Sequence, residues 1–94
     1  MILHTVNKSP QNPALKTCLR VAAKDSAILL IEDGVYAALE GTKLEGLRDH
    51  QVYALAPDVK ARGILDKLSS QITLVDYAGF VALTEQYDCV QSWY

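Results

Sequence analysis

Cysteine is scarce in this 94-residue chain: Cys18 and Cys89 are the only two, and they form no C-x-x-C pattern. That excludes a disulfide framework and fits reduced thiols in a cytoplasmic protein. Long hydrophobic runs are missing as well. The longest stretches free of polar residues hold about five residues, such as Ala27-Ile28-Leu29-Leu30-Ile31, against the ~20 a membrane span needs. The opening Met1-Ile2-Leu3-His4-Thr5-Val6 has no basic region and no long apolar stretch, so it does not read as a secretory signal. There is no surplus of positive charge: the net charge is −2 and the isoelectric point is about 5.5. A general affinity for nucleic acid or acidic membranes is therefore not expected. The five glycines build no phosphate loop, neither G-x-G-x-x-G nor Walker A.

Apolar material, by contrast, is plentiful. Half of the residues are hydrophobic, at the top of the usual range. A chain of this length makes one domain, residues 1–94, and buries only about 60–65% of its unfolded surface. The excess apolar surface points to an interface with other subunits.

The pattern alternates strands and helices. Strands are predicted at 2–6, 27–31, 51–55 and 72–75, with a weaker fifth at 90–93. The connections, residues 7–26, 32–50, 56–71 and 76–89, are each far longer than the two to five residues of a hairpin. Crossovers of a dozen residues or more join parallel strands. The expected fold is thus α/β, a three-layer domain with a mostly parallel sheet of four or five strands and helices on both faces. Residues 27–31 are apolar throughout, as a strand covered on both sides should be.

Helix signals agree. Asn12 can cap a first helix with Pro13 at its first position, and Leu15, Cys18, Leu19 and Ala22 then share one face. Asp33 can cap a short second helix ending near Gly41. Pro57 opens a third, with Asp58 in its first turn, Lys60 and Arg62 in its last and Gly63 at its C-cap. Asp76 can cap a fourth.

Ligands of such sheets lie past the carboxyl ends of the strands. There the chain carries Asn7-Lys8-Ser9-Pro10, Glu32-Asp33-Gly34, Pro57-Asp58 and Asp76-Tyr77. Asp33, Asp58 and Asp76 can be read as paired carboxylates or a cation site, but capping is the commoner use of an Asp that opens a helix. His4, His50, Cys18 and Cys89 are scattered, and zinc needs three or four ligands at recognisable spacing, so no metal site is expected. His4 can pair with Cys18 from an adjacent element, although a structural histidine is the commoner outcome. Trp93 and Tyr94 can stack on a base, but the acidic balance favours packing or a subunit interface.

Cys18 is the candidate site residue. On pattern alone it belongs to an apolar stripe, where free cysteine is usually inert core. Lys16 and Arg20 are near in sequence and can lower a thiol pKa, whereas the helix dipole fades before Cys18 is reached. Cys89, with Glu85 and Asp88 close by, reads as a structural thiol.

Several segments resemble the DsrH/TusB family of sulfur-relay subunits. They are Met1-Ile2-Leu3-His4-Thr5-Val6-Asn7-Lys8-Ser9-Pro10, Glu32-Asp33-Gly34-Val35-Tyr36-Ala37-Ala38, Leu55-Ala56-Pro57-Asp58-Val59-Lys60-Ala61-Arg62-Gly63, Val75-Asp76-Tyr77-Ala78-Gly79-Phe80-Val81 and Val90-Gln91-Ser92-Trp93. Each is weak alone, but together they span nearly the whole chain in order. The resemblance implies a DsrE-like, flavodoxin-like fold and a place in a heterohexamer with DsrE/TusD-type and DsrF/TusC-type subunits. Such complexes pass persulfide sulfur to a small carrier protein, toward tRNA wobble-uridine 2-thiolation or sulfur oxidation. The resemblance puts the main acceptor cysteine on a partner subunit and matches Cys18 to a first-helix cysteine of DsrH-type members, a candidate persulfide carrier. It implies no cofactor and no direct contact with nucleic acid or membrane. Two other readings stay open: a purely structural assembly subunit, and a free-standing flavodoxin-like binding domain, which the missing phosphate loop disfavours.

Overall fold

Five short strands run in one direction and share one sheet. The computed structural model describes residues 1–42 and 46–93, apart from the Arg48 side chain. The strands are β1 (Ile2–Val6), β2 (Ala27–Leu30), β3 (Gln51–Leu55), β4 (Thr73–Val75) and β5 (Cys89–Trp93). Their order across the sheet is β4-β3-β2-β1-β5, and every neighbouring pair is parallel. The sheet is therefore all-parallel, with the fifth, weaker strand included.

The order decides where the helices lie. From β1 to β4 the chain steps sideways in one direction, and right-handed crossovers then put all three connections on one face. That face carries α1 (Pro13–Val21), a 3-10 segment (Glu32–Ala38) and α2 (Ala56–Ala61). From β4 the chain returns past three strands to reach β5. The same handedness puts α3 (Tyr77–Gln86) alone on the opposite face. Side chains alternate accordingly. Val6, Ile28, Leu30, Val52 and Ala54 point toward α1 and α2, where Leu15, Cys18, Leu19, Val35 and Val59 meet them. Leu3, Ala27 and Leu29 point the other way, toward Leu83, Phe80 and Tyr87. Strand β2 is buried at all four positions, as its apolar run requires.

Two caps match the sequence. Asn12 Oδ1 accepts from the Ala14 N–H at 2.9 Å, and Asp76 Oδ1 accepts from the Gly79 N–H at 2.8 Å. Gly63 follows α2 with φ +66°, the left-handed turn that glycine adopts without strain. The second helix departs from expectation. It is a 3-10 segment preceded by Ile31, which offers no side-chain cap, and Asp33 lies inside it rather than before it. The cap comes from elsewhere in the chain: Asp58 Oδ2 on α2 accepts from the Glu32 N–H at 2.7 Å. Glu32 also takes φ +48°, which turns the chain sharply and ends β2 at Leu30 rather than Ile31. Gly34 then passes so close to the end of β1 that any Cβ would overlap the carbonyl oxygen of Val6.

Candidate functional site

The carboxyl ends of β2 and β3 converge on one polar network. Arg62, just past α2, donates from Nη2 to Asp33 Oδ1 at 3.0 Å and from Nε to the same oxygen at 3.2 Å. Its Nη1 donates to the Asp58 carbonyl at 3.2 Å. Asp58 in turn holds the Glu32 amide. The two aspartates are thus occupied by an arginine and a backbone amide, and they do not form a bare carboxylate pair. Asp76 stands apart, used by its own helix. Among the described residues no group of three histidine, cysteine or acidic side chains could hold a metal ion. Beside this network an open groove of about 730 Å³ runs between Ser9, Pro10, Gln11, Asp33 and Tyr36.

Cys18 lies elsewhere, on the inner face of α1, with Leu15 and Leu19 beside it. It is wholly buried. Burial pushes its thiol pKa up from 9.0 to about 11, because a thiolate cannot be solvated there. The two cations that sequence proximity offered, Lys16 and Arg20, point to solvent. Cys89 is the exposed thiol. It opens edge strand β5 beside Ile2, and the neighbouring Asp88 is paired with the Met1 ammonium at 2.9 Å. The order of accessibility is therefore the reverse of the one that local charge suggested. The reason is simple: a helical periodicity that puts Cys18 on the apolar stripe also puts Lys16 and Arg20 off it.

His4 forms no hydrogen bond with Cys18 among the described residues. Its ring is buried, and its Nδ1 accepts from Trp93 Nε1 at 3.0 Å. Trp93 packs against the larger core cluster rather than offering a stacking face, while Tyr94 lies outside the described residues. The Trp93–His4 bond was missed from sequence because its ends are 89 residues apart. The Arg62–Asp33 pair was also missed. Its only local signal is that Asp58 and Arg62 sit one helical turn apart.

The whole length of the chain resembles known proteins. Residues 8–90 match a family model described as DsrH like protein. The chain belongs to the DsrH family. Among its curated relatives is protein TusB of Escherichia coli (strain K12), 39% identical over 98% of this chain and 100% of the relative. Protein TusB of Shigella dysenteriae serotype 1 (strain Sd197) is 38% identical over the same shares. Two solved structures share the fold. The ychN protein from E. coli superposes with a TM-score of 0.81 at 20% identity, covering 98% of this chain and 97% of that one. Protein Tm0979 from Thermotoga maritima superposes with a TM-score of 0.72 at 32% identity, covering 94% and 95%. In this DsrH-family chain the family match runs through both regions described above, the Asp33–Arg62–Asp58 network and the buried Cys18. No helix among the described residues is long and apolar enough to cross a membrane.

Proposed function

We propose that this chain is a subunit of a cytoplasmic sulfur-relay complex that passes persulfide sulfur between proteins. The observation that carries the reading is the full-length kinship with TusB. That kinship favours the tRNA wobble-uridine 2-thiolation branch over sulfur oxidation. In this reading the chain joins DsrE/TusD-type and DsrF/TusC-type subunits in a heterohexamer. A small sulfur-carrier protein takes the sulfur away, and the main acceptor cysteine sits on a partner.

Cys18 has two roles open to it. As a persulfide carrier, its thiolate would attack the outer sulfur of a donor persulfide, release the donor thiolate and keep one sulfur as Cys18–S–S⁻. This needs α1 to part from the sheet in the complex, since Cys18 has no path to solvent in the lone chain. The second reading is a scaffold whose Cys18 only packs. It is favoured by the same burial and by a thiol pKa near 11, which leaves almost no thiolate at neutral pH.

Labelling the assembled complex separates these roles. The complex is treated with a persulfide donor, trapped with an alkylating agent and weighed chain by chain. A gain of about 32 Da on the Cys18 peptide, one sulfur atom, establishes the carrier role. An unlabelled Cys18 beside a labelled partner subunit establishes the scaffold. Failure to co-assemble with DsrE/F- or TusC/D-type subunits would sink the complex itself.

A further inference from the structure

We propose that His4 and Trp93 form a pH-sensitive latch, which pins strand β5 to the sheet while His4 is neutral and releases it when His4 takes a proton from solvent.

The hydrogen bond itself imposes the protonation state. An indole N–H can only donate, so His4 Nδ1 must present its lone pair and the ring proton must sit on Nε2. An imidazolium at this position would carry two N–H groups. One would face the Trp93 N–H, donor against donor. The other, on Nε2, has no hydrogen-bond partner among the described residues. The ring is only 3% exposed, so bulk water does not solvate it in the closed form. Protonation and the closed latch are therefore incompatible on geometry alone.

Among the described residues no carboxylate faces the ring to offset the charge. Strand alternation puts His4 on the same side as Val6, under α1. Its register neighbours are Ile28 on β2 and Gln91 on β5, both uncharged. From α1 the group on that side is Cys18, a neutral thiol at working pH, while Lys16 and Arg20 face solvent. At the entry to β3 stands His50, whose own charge opposes a proton on His4. Burial and His50 together hold the His4 pKa below its ordinary 6.5.

Strand β5 is held to β1 by a parallel ladder along its length and by a Thr5–Ser92 side-chain hydrogen bond at 3.1 Å. The side chain that loses its bond is the one that adds core packing to that ladder. Cys89, Val90, Gln91 and Ser92 are all exposed, and only Trp93 packs against the core cluster. Strand β5 is an edge with a single neighbour, β1. Opening β5 takes up one proton, so the open population grows by up to about tenfold for each pH unit below 6.5.

Trp93 is the only tryptophan, so its emission reads the latch directly in the full chain. Between pH 8 and pH 5 the emission should shift to longer wavelength as the indole leaves the core. Amide protection of residues 90–93 should fall in step, while that of β2 holds. His50→Gln should keep the transition, and His4→Gln should abolish it. If His4→Gln does not fold, His4→Leu serves instead: with no titratable group at this position, protection of residues 90–93 should lose its pH dependence. Emission that stays flat in the native chain, or a transition that survives in His4→Gln, overturns the latch. So does loss of β2 protection at the same pH, which would mean that the whole sheet has melted.

Discussion

Cys18 and Gly34 show how much one position can hide. Cys18 reads correctly from its spacing as part of an apolar stripe, and the cations beside it in sequence mislead because neighbours along a helix point in different directions. The expected outcome in the isolated chain is that iodoacetamide at pH 8 modifies Cys89 within minutes and reaches Cys18 only after denaturation, as peptide mass mapping will show. Stability should respond at high pH. The folded thiol pKa, about 11, lies above the unfolded 9.0. The contribution is thus fully present below pH 9 and is lost as pH rises toward 11, by about 2–3 kcal/mol in all. Urea midpoints across that window, compared with Cys18→Ala, will measure it. Alanine is the better control than serine, because a hydroxyl in this apolar cluster lacks an assured partner and costs about 1–3 kcal/mol. Gly34 makes a different point. Gly34→Ala drives a methyl into the Val6 carbonyl and should cost about 3 kcal/mol or more, since backbone rather than side chain must move. Gly63→Ala meets nothing within 4 Å and should cost only the strain of φ +66°, about 1–2 kcal/mol. Denaturant melts of the two variants give the contrast. Local sequence marks Gly63 as a C-cap but gives no sign of the constraint on Gly34, because the Val6 carbonyl reaches it only through the tertiary fold.

At the scale of elements, legibility followed the range of the interaction. Asn12 and Asp76 cap helices from within their own first turn, so both were visible in the sequence. The 3-10 segment was read as a helix capped by Asp33, but its amide is held by Asp58, 26 residues away. Short-range rules cannot see such a partner. Strand β5 was legible at 90–93, but its partner was not, since the pairing with β1 joins opposite ends of the described chain. Parallelism was legible because connection length dictates it, whereas strand order was not, since a long crossover reaches a near strand as easily as a far one. Asp76→Ala should remove about 1 kcal/mol and lower the melting temperature by roughly 4–8 °C. Asp76→Asn, which keeps the accepting oxygen, should recover most of it in the same thermal melt.

The molecule as a whole leaves apolar surface uncovered, as its composition foretold. Helix α3 is apolar on more than its inner side: Phe80 and Leu83 meet the sheet, while Tyr77 and Val81 stand 61% and 55% exposed. It is the sole helix on its face among the described residues, and none of them shelters that outer side. The lone chain should self-associate or dissolve poorly. Val81→Glu should raise the monomer fraction in light scattering while changing the unfolding free energy from urea melts by no more than about 0.5 kcal/mol, because an exposed position carries little folding energy. A native chain that is monomeric and highly soluble would count against the surface as a subunit contact.

Strand order also bears on how the molecule is made. Strand β1 leaves the ribosome first, yet the strand that covers its outer edge, β5, is the last of the five to be synthesised. Until β5 is made, the outer flank of β1, Ile2 to Val6, has no strand of its own to pair with. Late, long-range closure of this kind is slow and leaves time for a foreign strand to occupy the vacant side. In the proposed complex another subunit's strand would meet that vacant side, and synthesis of the chain alone or beside its partners would then give different yields of the correctly closed sheet.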